Sequence, residues 1–251
     1  MLSIAQAFVL DILLDAEAAY IALGTAARLA TALGLHRKFE DVNLSASEVI
    51  HRRNVFWAIY IFDKIMSLRL GRPPVINDSD IEVDPPDDVG AVGQSDSGDL
   101  SNYFSSHVKL SRIESEIYSE LYSARSRTKS VRERLRSIGA LDRRLRQWQE
   151  SLPASIQPEK PILCSTDLIP HAILLQFEYF NAVSTLHRSS VYTALITGDE
   201  SGGDMPSHGI PDVDPRVFSS HLICLDAARH TAKLLVSLNR ASQQPRDNLV
   251  R

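Results

Sequence analysis

The sequence predicts an all-α fold. Three observations carry that expectation. Apolar residues recur at the three-and-four spacing of a helix face along most of the chain, glycine and proline fall where such runs stop, and no stretch alternates apolar and polar residues as a half-buried strand does. A chain of 251 residues, 44% hydrophobic and 23% charged, can bury one sizeable core. Residues 1–251 are therefore read as a single helical domain around a buried central helix at about 48–70, with mobile loops at about 86–100 and 198–215.

The first 33 residues read as helix, with Ala19, Leu23, Ala26, Leu29, Ala30 and Leu33 on one face. Gly34 is placed to close it, since glycine accepts the left-handed conformation of a helix C-terminus. Ser45 with Glu48 three residues on forms a capping box that opens the next helix, and Gly71 with Pro73 and Pro74 ends it. Between them Val55, Phe56, Trp57, Ile59, Tyr60, Ile61, Phe62, Ile65 and Met66 leave hardly any polar face, as in a helix enclosed by others.

Charges on such a helix need partners, because an isolated buried charge is costly and a paired one fixes register. Arg52 and Asp63 share a face but lie about 16 Å apart along the axis, so they cannot meet. Arg52, Arg53 and Asp63 are read as fasteners to neighbouring helices, the arginines reaching carboxylates or carbonyl ends.

Between Asn77 and Asp88 six acids crowd a proline-bearing loop. Asp78, Asp80 and Glu82 imitate the start of a calcium loop, but Val83 stands where the turn needs glycine and Val89 where the bidentate glutamate belongs. Residues 90–99, rich in Gly, Ser and Asp, have little to bury and read as a loop. Helical period returns with Leu110, Ile113, Ile117, Leu121 and Ala124, then with Val131, Leu135, Ile138, Leu141, Leu145 and Trp148, the two joined near Thr128 to Ser130. A long helix begins around Asp167, tolerates Pro170 in its first turn and runs towards Leu195. Val217 to Arg240 forms the last.

Most chemistry is excluded by what is missing. Cys164 and Cys224 are the two cysteines; each lacks a nearby second thiol, which favours a reducing compartment and rules out a cysteine zinc cluster built from this chain alone. The eight histidines show no H-E-x-x-H spacing. "GDESGG" at 198–203 is similar to the turn around a protease serine, yet Glu200 precedes Ser201 between helices with no oxyanion hole in prospect. His36 and His187, each inside a Leu-His-Arg triplet, read as packed or capping residues. Asp11, Asp15 and Glu17 interrupt the Leu- and Ala-rich start, so it is neither signal peptide nor membrane span. A net charge of −4 provides no global field for nucleic acid. Arg125 to Arg146 is basic, but its apolar residues keep a helical period, making the arginines a solvated face, with no aromatic interleaving for base stacking.

The tract from Ala27 to Pro86 resembles the regulatory middle domain of fungal binuclear zinc-cluster transcription factors. The resemblance rests on Gly34, Leu35, His36 and Arg37, on Arg52 and Arg53 before Phe56 and Trp57, on Asp63, on the Gly71, Arg72, Pro73 stop, and on the acidic loop ending in Pro85 and Pro86. Similar segments continue downstream, so it covers about residues 15–238. It implies a nuclear, non-enzymatic regulator in which a separate six-cysteine module binds DNA; the family-motif positions have structural roles. No cofactor is expected in this chain, zinc belonging to the missing module. Implied partners are the transcriptional machinery or regulatory proteins, with room for a small inducer and a homodimer, and no membrane. The chain reads as truncated at both ends, which would leave apolar surface near the Leu-rich beginning. Rival readings are a helical enzyme acting on an apolar or isoprenoid-like substrate, which would need two carboxylate clusters facing one cavity, and a structural interaction protein.

Overall fold

The structure, a computed structural model, describes residues 16–38, 44–86, 96–200 and 215–243. Its helices are α1 (Ala16–Ala32), α2 (Ala46–Leu70), α3 (Asp96–Ile117), α4 (Val131–Ser151), α5 (Ile169–Glu200) and α6 (Pro215–Gln243). Short 3-10 turns lie at Asp78–Asp80, Ala124–Thr128 and Thr166–Leu168, and a π turn at Tyr118–Tyr122. No strand occurs among the described residues. The fold is all-α, and it divides between Thr128 and Lys129 into two compact units.

In the first unit α2 starts and stops where local chemistry dictates. Glu48 accepts from the Ser45 backbone N–H at 2.8 Å while the Ser45 hydroxyl accepts from Glu48 N–H, a closed capping box. At the far end Gly71 takes φ 65°, and Arg72 N–H bonds back to Ser67 O at 2.9 Å. Enclosure begins only at Phe56: Val49 and Ile50 are exposed, whereas no residue from Phe56 to Leu68 is. Phe56, Trp57 and Tyr60 are fully buried in edge-to-face contact, with centroids 5.4 and 5.0 Å apart. Ala27 and Ala30 of α1, Ile76 from the following segment, and Val108 of α3 complete that core.

α1 shows a different inner face from the one its large apolar residues suggest. Ala27 and Ala30 point in, while Leu29 and Leu33 are 60% and 65% exposed. Small residues let the helix approach closely; a Cβ added at Gly24 would stand 3.5 Å from Val75 Cγ2.

Two expected loops are shorter than anticipated. α3 begins at Asp96, inside the tract assigned to a mobile loop, and α5 runs on to Glu200. Runs of Gly, Ser and Asp carry no apolar period, so periodicity cannot see a helix that starts in them. Residues 1–15, 87–95 and 201–214 lie outside the described residues. The helix expected to reach Ala124 ends its α stretch at Ile117, then passes through the π and 3-10 turns.

In the second unit a further capping box, Ser130 with Glu133, opens α4. α4 buries Ile138, Leu141, Leu145 and Trp148 and turns Arg132, Arg136, Arg143, Arg144 and Arg146 outward, an amphipathic helix with a solvated basic side. α5 is buried on most sides along Ala172, Leu175, Phe180, Ala182 and Leu186. A turn at Thr166–Leu168 leads into it, and Pro170 is its second residue. α6 lies beside α5, with the His230 ring stacked on Phe180 at 5.1 Å and Cys224 Sγ donating to Ser184 O at 3.5 Å.

Candidate functional site

The polar residues of the first unit converge on one feature, the segment Arg72–Pro86, which folds back against α2. Gly71 reverses the chain, and the backbone groups that follow have no regular partner, so they must find one elsewhere. Asp63 supplies it. Its Oδ1 accepts from Val75 N–H at 2.9 Å and its Oδ2 from Ile76 N–H at 3.0 Å. The side chain expected to fasten a neighbouring helix instead fastens this segment.

Lys64 follows Asp63 in the same buried stretch and completes the clasp. Its ammonium donates to Ile76 O, lies 3.4 Å from Asp78 Oδ1 and 3.7 Å from Asp63 Oδ2, and sits 4.8 Å from the Tyr60 ring centroid. Tyr60 hydroxyl donates to Asp78 Oδ1 at 2.8 Å, and Ser115 of α3 donates to the other Asp78 oxygen. One ammonium thus stands between two carboxylates, each also held by neutral donors. Burial pushes the Asp63 carboxyl above the ordinary range, while the two backbone N–H groups and Lys64 draw it back. Both its oxygens face N–H donors, so the geometry fits the ionised form. Burial, then the Asp78 charge, pushes the Tyr60 phenol well above its usual value; it stays a donor.

Further along, Trp57 Nε1 donates to Asp84 O at 2.9 Å, with the Arg112 guanidinium 5.0 Å from its ring centroid. His36 O accepts from Glu82 N–H at 2.9 Å and Val83 N–H at 3.0 Å. Gly34 makes that possible: at φ 68° it turns the chain after α1, burying Leu35 and His36 and leaving Arg37 exposed. Arg52 donates to Leu33 O at 3.0 Å and so caps α1, one of the carbonyl ends foreseen for it. Arg53 is half-buried. Arg72 pairs with Glu17 and lies over the Tyr20 ring, whose hydroxyl donates to Pro73 O at 2.7 Å.

The Gly34–Arg37 turn, Trp57, Asp63 and the Gly71–Pro73 stop therefore meet along one strip, while Arg52 acts one turn away at the end of α1. Sequence reasoning missed Lys64, Tyr60 and Asp78 as members. The available signal was Lys64 itself, a charged residue inside an apolar run that must have a partner. Ser111 and Glu114, three residues apart on α3, stand apart from the clasp: both are fully buried, and their side-chain oxygens have no hydrogen-bond partner among the described residues. Burial alone pushes the Glu114 carboxyl up to about 8.

In the second unit His187 of α5 joins Asp142 of α4 and Ser220 of α6, each at 3.2 Å. The trio has the residue types of a hydrolytic triad, with Ser220 buried in the second turn of α6. It ties three helices together. Burial raises the Asp142 carboxyl, and the His187 hydrogen bond and charge, with Arg146 at 3.1 Å, outweigh that and hold it below its usual range. Among the described residues no group of three or more His, Cys, Asp or Glu is placed to hold a metal ion, and no helix is long and apolar enough to cross a membrane.

The motif residues of the first unit brace one helical scaffold. The chain belongs to the family described as the fungal specific transcription factor domain, whose profile matches residues 6–150. It is the regulatory domain of a fungal transcription factor. It is 38% identical over 225 residues to an ABC-transporter-regulating transcription factor of Aspergillus oryzae and equally to one of Aspergillus fumigatus, covering 87% of this chain and 25% of each relative. It is 29% identical over 188 residues to Activator of stress genes 1 of Saccharomyces cerevisiae, covering 70% of this chain and 18% of that protein. The chain thus spans about a quarter or less of these relatives' length. No solved structure matches it significantly.

Proposed function

We propose that both units act together as one non-enzymatic domain that sets the activity of a nuclear transcription factor through protein contacts, with DNA recognition and zinc supplied by a module outside this chain. The observation that carries this reading is the clasp. Asp63, Lys64, Trp57 and Arg52 each end on a backbone group of the same chain, so the motif residues define a scaffold and leave signalling to its surfaces. A small inducer would act by binding one helix packing better than another, which shifts their populations.

Fusion of the chain to a heterologous DNA-binding module tests it. Reporter output that changes on fusion, and changes again when Asp63→Ala loosens the clasp, supports the proposal; output indistinguishable from the DNA-binding module alone refutes it. The Aspergillus relatives, named as ABC-transporter-regulating transcription factors, make transcripts of ABC transporter genes the first target set to measure on deleting the full gene.

A further inference from the structure

One face of α4 sets guanidiniums around a gap. Arg132, Arg136, Gly139 and Arg143 follow one another at spacings of four, three and four, so they share a stripe about 16 Å long. The three arginines are exposed. None of them forms an ion pair among the described residues, whereas Arg146, the next along the stripe, is held 3.1 Å from Asp142. Glu133, the acid beside Arg132, is engaged in the helix cap: the Ser130 hydroxyl and N–H hold its carboxyl below the usual range, with the charges of Lys129 and Arg136 adding to that. Between the arginines Gly139 leaves space. A Cβ added there would meet nothing within 4 Å among the described residues. Glycine forms helices more poorly than every residue but proline, so nothing local favours it in mid-helix. Leu135, Arg136, Gly139 and Arg143 line a half-open hollow of about 360 Å³, with Leu135 and Gly139 half-buried and the arginines at its rim.

We propose that this stripe docks an acidic amphipathic helix of a partner protein, its carboxylates on Arg132, Arg136 and Arg143 and one bulky apolar side chain seated over Gly139. The docking helix deepens the reading above, on which it rests, that the domain acts through protein contacts. Alternating spacings of four and three keep one seam facing a second helix, and a glycine within the seam admits a large side chain from that helix. Guanidiniums one and two turns apart complement carboxylates at the same spacing, each offering a planar fork to a carboxylate. A nucleic-acid backbone would use the charges but leave the apolar hollow unfilled, and no aromatic residue lies on the stripe for bases to stack on. The hollow also suits a side chain better than a metabolite, being open and at the small end of the roughly 300–1,000 Å³ of ligand sites.

Fluorescence anisotropy of the full chain against labelled probes tests this. The probes are an acidic helical peptide of about 18 residues with glutamates at the stripe's spacing around one leucine, its glutamine and lysine versions, and a DNA duplex of about 20 base pairs. The acidic peptide is expected to bind with micromolar Kd at physiological salt, and the glutamine version at least about tenfold more weakly. Gly139→Leu fills the hollow with a better helix former, and should weaken the acidic peptide at least about tenfold with helicity by circular dichroism unchanged. Arg136→Glu with Arg143→Glu should weaken it as much, and the lysine peptide should bind that double variant instead. An acidic peptide that fails to bind overturns the proposal, as do binding indifferent to Gly139→Leu and tighter binding to the duplex. A reporter fusion that responds equally to the parent chain and to Gly139→Leu also overturns it while leaving the domain's regulatory role standing; a fusion silent with the parent overturns both.

Discussion

Replacing Glu114 by glutamine is expected to flatten the dependence of stability on pH. Glu114 is wholly buried on α3, neither carboxyl oxygen has a hydrogen-bond partner among the described residues, and burial lifts its titration from about 4.5 to about 8. Below about pH 4.5 the group is protonated whether the chain is folded or not, and its contribution is intact. Between there and about pH 8 the unfolded chain releases the proton while the folded chain keeps it, so stability falls as pH rises and levels off once the folded group also ionises. A displacement of this size corresponds to about 5 kcal/mol in total, at 1.36 kcal/mol per pH unit. Glutamine has nearly the same shape and no charge at any of these pH values. Urea midpoints at pH 5, 6, 7 and 8 should therefore diverge, the two proteins nearly equal at pH 5 and the variant more stable by several kcal/mol at pH 8. Parallel midpoint curves would refute the assignment of a neutral buried carboxyl to Glu114.

Three further outcomes test the remaining elements. Asp63→Ala orphans the buried Ile76 N–H and the half-buried Val75 N–H and strips Lys64 of one counter-charge, and should cost about 3–5 kcal/mol by thermal or urea denaturation. Gly71→Ala forces a side chain into φ 65° although nothing crowds its Cβ, so a loss of about 1 kcal/mol in urea denaturation is expected from backbone strain alone. The lowered Asp142 carboxyl makes its contribution present above the unfolded value and lost as pH falls through the folded one; Asp142→Asn should blunt the acid limb of the melting-temperature profile.

What the sequence revealed about α2 was local. A capping box and a terminal glycine act within four residues, so Ser45, Glu48 and Gly71 can be read without knowing what surrounds them. The apolar run to Leu68 likewise announces burial. The Ser130–Glu133 box at the start of α4 carried the same signal and was open to the same reading. The inner face of α1 was hidden because periodicity weighs large apolar residues, whereas the helix packs through Ala27 and Ala30 and leaves Leu29 and Leu33 outside. The partners of Asp63 and Trp57 were hidden because they are backbone groups 12 to 27 residues downstream, and any residue type could supply them.

The clasp also explains why an acidic, proline-bearing segment belongs to the core of the first unit and is not an appendage. An ammonium buried like that of Lys64 is tolerated only with hydrogen bonds and counter-charge in place, and two of its partners, Ile76 O and Asp78, lie in that segment. Asp63 needs the segment's N–H groups just as Lys64 needs its oxygens. Lifting residues 74–78 away would leave both buried charges of α2 short of partners at once, and would free the Tyr60 and Ser115 hydroxyls as well. The segment and α2 are therefore expected to form and dissolve together. That mutual dependence gives Gly71 its place: the reversal must happen there for residues 75 and 76 to come within reach of Asp63, eight residues back along the helix.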